Sequence, residues 1–328
     1  MRLHPIGLIV TLALGLLVAP LTALAQPLRQ VPRIAFLSLV SREAVTDDRF
    51  EAFRQELREL GYVEGQTIAL EFRWAQGRRE QLQEFAAELV RLPVAVIVTL
   101  GPAATRAAKN ATSTIPIIMA DDSDPIGDGF VASLARPGGN ITGISGIAPE
   151  LSAKRLELLK ETVPGMTRVA VLWNPADAER ELRVTEEAAR TLALQVHALP
   201  VRGPDDFEGA FRTATREHAE ALTVLRDPVS YTHRTRLVEL AAQYRLPAVY
   251  WERAFVEAGG LMSYAARYRD RLRRVAHFVD KILKGAKPAD LPVEQPMQFE
   301  LVINLKTVQD LGLTLSPTFL FRADEVLK

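Results

Sequence analysis

Five clusters of side chains in this sequence could hold a polar solute. Asp121, Asp122, Asp124 and Pro125 follow directly on the apolar run Ile115 to Met119. Clustered carboxylates suit a cation or an ammonium group. The same residues are also good helix caps, so Asp124 is open to either role. Asp227-Pro228 stands in an equivalent place behind the apolar run from Ala221. Gly101-Pro102 is a helix-start signal, with Gly at the cap and Pro at the first helical position, where its missing N–H costs nothing. Free amides at such an end favour an anionic group, though a well-made helix start accounts for the pair equally well. Tyr250, Trp251 and Glu252 place two aromatic rings and an acid at one strand end. One ring is expected in the core, and the other is free to stack on a flat solute or to close a cleft. Ser263-Tyr264 adds a pair of hydroxyls.

Catalytic constellations are missing from the pattern. There is no GxGxxG fingerprint, Walker A loop or GxSxG elbow; Gly143-Ile-Ser145-Gly146 has the wrong spacing for the last. His197, His218, His233 and His277 fall in no metal-ligand pattern. The reading is a binding protein that needs no cofactor or metal, not an enzyme.

The elements that must position these residues alternate. Arg33 to Leu37 reads as a buried strand, and Asp47 to Leu60 as a helix with Phe50, Phe53, Leu57 and Leu60 on one face, stopped by Gly61. Thr67 to Phe72, Val94 to Val98, Ile115 to Met119 and Ile141 to Ile144 read as further strands, with helices between the first of them. The pattern then begins again. Arg168-Val-Ala-Val-Leu-Trp173 echoes Arg33-Ile-Ala-Phe-Leu-Ser38, the run from Ala221 to Pro228 echoes Ala95 to Pro102, and Leu246 to Tyr250 echoes Ile115 to Met119. Three echoes in one order predict two similarly built α/β lobes with parallel sheets. Gly260 to Tyr264 reads as the last strand of the second set. A helix follows from Tyr268 to Lys284, with Leu272, Val275, Val279 and Ile282 on one face.

In open α/β sheets, solutes bind beyond the carboxyl ends of the strands. That rule nominates Ser38, Ser41, Thr99, Gly101, Pro102, Asp121, Asp124, Pro125, Asn174, Asp227, Tyr250, Glu252 and Tyr264, with Ser145 in the first expected crossing between lobes.

Composition bounds the class and compartment. The 328 residues carry 40 acidic and 40 basic side chains and no cysteine, which argues against a nucleic-acid partner, disulfides and a lipid-anchoring thiol. Met1-Arg2 precedes an apolar stretch from Ile6 to Leu24, which ends in Ala23-Leu24-Ala25 before Gln26-Pro27. A membrane-anchoring helix of that length is the alternative. The small-x-small ending and Pro20 favour a cleavable signal peptide over residues 1–25, export to a periplasm and no lasting membrane insertion.

Together, Lys109-Asn-Ala-Thr-Ser-Thr-Ile-Pro-Ile117, Asp124-Pro125, Ser133-Leu-Ala-Arg-Pro-Gly-Gly-Asn-Ile-Thr-Gly143, Gly259-Gly-Leu-Met-Ser-Tyr264 and Arg322-Ala-Asp-Glu-Val326 resemble one family. It is the family of ABC transporter substrate-binding proteins that includes tryptophan/tyrosine-type receptors, and the resemblance runs from about Pro32 to the C-terminus. It implies a type I periplasmic-binding-protein fold, in which two Rossmann-like lobes joined by three hinge strands close on a small ligand. It also implies a permease and a cytoplasmic ATPase as partners. Two positions depart from the family pattern: Pro102 stands where many relatives carry a hydroxyl residue, and Ala265 follows Ser-Tyr where Gly is common.

The expected organisation is lobe 1 from residues 26–145 and about 266–292, and lobe 2 from residues 146–265 and about 293–328, the lobe of the last segment being open. The expected function is solute uptake, with a ligand-sensing partner of a membrane signalling protein as the alternative. In the closed clamp, amides near Gly101 would take a carboxylate, Asp124 or Asp227 an ammonium, and Tyr250 or Tyr264 a flat apolar group.

Overall fold

The computed structural model describes residues 31–43 and 47–328, so the expected signal peptide lies outside the described residues. Residues 32–328 form one compact unit containing two sheets. The chain enters through β1 (Arg33–Ser38), α1 (Asp47–Glu59), β2 (Ala69–Trp74), α2 (Arg79–Arg91), β3 (Val94–Leu100), α3 (Pro102–Ala111), β4 (Ile117–Asp122) and β5 (Ile141–Ser145). These five strands make an all-parallel sheet in the order β2-β1-β3-β4-β5.

The chain then leaves for the second sheet through α4 (Ala148–Thr162), β6 (Arg168–Trp173), α5 (Glu179–Thr191), β7 (Gln195–Pro200), α6 (Phe207–Arg216), β8 (Ala221–Val224), α7 (Pro228–Thr232), α8 (Arg234–Gln243), β9 (Ala248–Tyr250), α9 (Arg253–Glu257) and β10 (Met262–Ala266). It returns to the first sheet as α10 (Tyr268–Leu283), which packs Leu272, Val275, Val279 and Ile282 with Phe36, Phe50 and Phe53. A last crossing delivers β11 (Phe299–Asn304), α11 (Leu305–Asp310), α12 (Pro317–Phe321) and β12 (Glu325–Leu327) to the second sheet. That sheet runs β12-β11-β10-β9-β8-β6-β7, with β11 antiparallel to β10.

The echoes in the sequence correspond to equivalent strands. β1, β3 and β4 hold the same places in the first sheet as β6, β8 and β9 in the second. Each lobe carries helices on both faces. In lobe 1, Leu82, Ala86 and Leu89 of α2 and Ala104, Ala107 and Ala108 of α3 cover the face opposite α1 and α10. The small side chains of α3 let that helix lie close to the sheet, which brings its first turn to the strand ends.

Three segments join the lobes: β5 to α4, β10 to α10, and the approach to β11. They are tied together at the first and third. Ser145 N donates to Glu294 O at 2.8 Å, and Glu294 N donates to Gly143 O at 2.9 Å. Gly143 is required here. Its φ is +132°, and a Cβ would sit 2.1 Å from the carbonyl oxygen of Met119 on the neighbouring strand. Among the described residues, no helix is long and apolar enough to cross a membrane.

Candidate functional site

The carboxyl ends of the two sheets face each other across a cleft enclosing about 890 Å³, its open mouth included. Its lining combines apolar and aromatic walls with a few convergent polar groups, as sites for small organic solutes do. Lobe 1 contributes Ser38, Gly101, Pro102 and Asp121, together with Tyr268, Arg271 and Leu272 from the start of α10. Lobe 2 contributes Asp177, Arg226, Asp227, Pro228, Tyr231, Trp251 and Glu252.

The floor is a charge network that crosses between lobes. Asp121 of lobe 1 pairs with Arg226 of lobe 2 at 2.8 Å and with Arg271 of its own lobe. Arg226 also donates to the carbonyl of Asp121 at 3.2 Å, and its guanidinium lies 5.7 Å from the Trp251 ring centroid. Arg271 reaches back across the gap to Glu252 at 3.7 Å and lies 5.0 Å from the Tyr268 ring centroid. Burial alone would raise the Asp121 carboxyl, but Arg226 and Arg271 more than offset it and hold it below its ordinary value.

Behind this floor, in lobe 2, Arg155 is buried against Glu181 at 3.1 Å and donates to the carbonyl of Tyr264 at 2.9 Å. Glu181 accepts in turn from the Arg226 amide at 3.2 Å. Arg226 is thus positioned at both its backbone and its side chain.

Asp227 is the residue set up differently. It caps the short helix α7, its Oδ1 accepting from Val229 N at 2.8 Å and Ser230 N at 3.1 Å. Asn174 steers the same oxygen from 3.4 Å. Oδ2 is buried and has no hydrogen-bond partner among the described residues. Burial raises the Asp227 carboxyl above its ordinary value, Ser230 draws it down, and the neighbouring charge of Asp177 raises it further. An acid with one satisfied oxygen and one idle buried oxygen is matched to a donor that arrives from elsewhere.

Tyr231, Trp251 and Tyr268 supply aromatic surface, and Leu39, Leu100 and Leu272 add aliphatic wall. The first turn of α3 lines the cleft at Pro102 and Ala103, with no side-chain cap at Gly101; Pro102 has no N–H, so the free amides of this end begin at Ala103.

Of the residues nominated from sequence, Ser38, Gly101, Pro102, Asp121, Asp227 and Glu252 come together around this cleft. The others stand elsewhere. Tyr250 is fully buried and stacked on Phe255 at 4.8 Å, in the core of lobe 2. Its neighbour Trp251, the first residue past the end of β9, is the ring that lines the cleft. Tyr264 packs beside Phe299 and presents only its carbonyl to Arg155. Thr99 is buried behind the start of α3, 2.7 Å from Thr105. Pro125 is buried beneath the 126–131 turn. Asp124 caps Gly127 N and pairs with Arg180 of the other lobe, outside the cleft lining. Ser145 lies in the hinge. Asn174 acts on Asp227 from the outer groove, and Ser41 is half-buried outside the lining.

Sequence reasoning left out Arg271 and Tyr268, which begin a helix that reads as plain amphipathic packing. Their signal was positional: they open the helix that follows the second crossing. Asp122 was named in the acid cluster but lies beneath the cleft, where burial pushes its carboxyl up to about 7, opposed by the Thr105 hydroxyl that donates to it at 2.7 Å.

The sequence profile described as ABC transporter substrate binding protein matches residues 33–327. The chain belongs to this family. A tyrosine-binding protein of Clostridioides difficile is 26% identical over 270 residues, covering 81% of this chain and 77% of that one. Among solved structures, an ABC domain in complex with L-Trp from Streptococcus pneumoniae is 27% identical. It superposes with a TM-score of 0.83 over 90% of this chain and 99% of its own. A conserved domain protein from Vibrio cholerae is 25% identical, with a TM-score of 0.85 over 90% of this chain and 100% of its own. The fold is that of the type I periplasmic binding proteins, and the family is one of solute receptors serving ABC transporters.

Proposed function

We propose that this chain is the periplasmic receptor of an ABC importer and closes on an amino-acid-like solute with a flat apolar side chain. The observation that carries the reading is the idle, buried Oδ2 of Asp227 in a cleft walled by Tyr231, Trp251 and Tyr268. An ammonium group satisfies that oxygen, the ring of the solute lies against the aromatic wall, and its carboxylate meets the first-turn amides of α3. The tyrosine-binding relative and the L-Trp complex support this class of solute. Pro102 removes one donor from the carboxylate end, so the α3 amides and the floor arginines carry that end here.

Binding works by closure. The ammonium site belongs to lobe 2 and the α3 amides to lobe 1, so only the closed arrangement offers both, and the solute shifts the population toward it. The leader supports export, with cleavage near Ala25-Gln26 and release of the receptor to the periplasm. There the closed form would be read by a permease working with a cytoplasmic ATPase.

A thermal-shift panel tests the assignment. It contains L-Trp, L-Tyr and L-Phe, the corresponding amines without a carboxylate, and the corresponding acids without an amine. At 100 times the dissociation constant, a bound solute adds about 2.7 kcal/mol of stability. The expected result is stabilisation by at least one amino acid, a smaller shift with its amine, and none with its acid. Stabilisation by acids alone would remove Asp227 as the anchor.

A further inference from the structure

Besides the buried floor network, two ion pairs bridge the lobes at the rim of the cleft. Arg79 of lobe 1 pairs with Asp177 of lobe 2 at 2.5 Å, and Arg180 of lobe 2 pairs with Asp124 of lobe 1. The exchange is reciprocal, each lobe giving one arginine and accepting one. Both arginines sit in the first turns of their helices, Arg79 opening α2 and Arg180 being the second residue of α5. The helix dipole disfavours a cation there, so neither is placed to stabilise its own helix. What offsets the unfavourable position is a carboxylate on the other lobe.

The topology gives Arg79 and Asp177 leverage. Arg79 follows β2, at the edge of the first sheet opposite β5, where the chain first crosses. Asp177 follows β6, on the corresponding side of the second sheet. A hinge motion about the crossings therefore separates this pair widely.

We infer that these two pairs form a rim latch that sets how much of the time the empty receptor is closed. The side chains of Arg79 and Arg180 are 41% and 44% exposed, so salt reaches the latch. The floor pairs are more deeply buried, at 19% for Arg226 and 9% for Arg271. Ionic strength acts on the rim first.

The test needs no solute. The chain has no cysteine, so Glu84→Cys on α2 and Arg183→Cys on α5, both exposed positions, take one spin label each. Distance distributions from the labelled, otherwise unaltered protein are compared at low salt and at about 0.5 M NaCl. Two further backgrounds are measured: Arg79→Gln with Arg180→Gln, and the reciprocal exchange Asp124→Arg with Arg180→Asp. The closed population of the parent is expected to fall with salt. In the double Gln variant the closed-to-open ratio should drop about 2- to 30-fold at low salt, the span expected for two partly exposed pairs, and the salt response should flatten. The exchanged variant should hold a closed population well above that of the double Gln variant. Parent-like distances and salt response in the double Gln variant, or an exchanged variant no more closed than it, overturn the latch.

Discussion

Asp227→Asn separates the two jobs of one side chain. The amide keeps an oxygen at the Oδ1 position, where Val229 N and Ser230 N donate at 2.8 and 3.1 Å, so α7 stays capped. It replaces the idle Oδ2 with an NH2 group that cannot accept from an ammonium and turns a donor toward it. The expected loss is that of a charge-assisted hydrogen bond, about 1.5–3 kcal/mol, or roughly 10- to 150-fold in dissociation constant. Stability of the empty protein should move the other way or not at all. The carboxyl is raised above its ordinary value by burial, so its ionised form strains the fold near neutral pH, and the amide removes that strain. Asp227→Ala differs, because it loses the cap as well and should destabilise the empty protein by about 1 kcal/mol. Calorimetric titration with the best solute from the panel, beside urea unfolding of the empty proteins, reads both quantities. An Asn variant that binds within twofold of the parent would refute the reasoning, as would equal loss of stability in the Asn and Ala variants.

Three further outcomes follow from the same geometry. Asp121→Asn leaves Arg226 and Arg271 short of their shared counter-charge and should cost about 3 kcal/mol in urea unfolding, with Asp121→Asn/Arg226→Met recovering part of it. For Asp122 the folded carboxyl titrates near 7, above the ordinary value of 3.8. The unfolded chain therefore releases its proton first, and stability falls as pH rises from about 4 to 7, with the full penalty present above 7. Asp122→Asn escapes that penalty, so it should match the parent near pH 4 and exceed it by up to about 4 kcal/mol at pH 8; an unchanged pH–stability curve would contradict this. Gly143→Ala drives a Cβ to 2.1 Å from Met119 O, and it should destabilise by about 3 kcal/mol or more and lower the yield of folded protein.

The fold was legible because equivalent strands of the two lobes carry similar apolar runs in the same order. β1 and β6, β3 and β8, and β4 and β9 could be matched from sequence and occupy matching sheet positions. Less visible were β7 and the last strands. β7 is a half-exposed edge strand, Gln195 to Pro200, without a continuous apolar run. β12 has three residues, all only partly buried.

Within the site, the rule that solutes meet the carboxyl ends of strands located the loops around Gly101, Asp121, Asp227 and Glu252. It could not decide which of two adjacent rings faces the gap. Tyr250 is the last residue of β9 and Trp251 the first beyond it; both rings touch Phe255, and where the strand stops decides that the first is enclosed while the second lines the cleft. Arg271 was hidden for another reason. It belongs to lobe 1 only because the chain crosses back, so its meeting with Asp121 and Glu252 is a fact of topology that no local pattern carries.

The central claim is a solute gripped between facing strand ends, and a crystal structure of the protein saturated with the strongest ligand of the panel tests it most directly. The account predicts ligand density in the cleft, with an amine nitrogen about 2.8 Å from Asp227 Oδ2, a ring against Trp251 or Tyr268, and the Arg226–Asp121 bridge intact. Density outside the cleft, or a ligand held by one lobe while the other stands away from it, would contradict it.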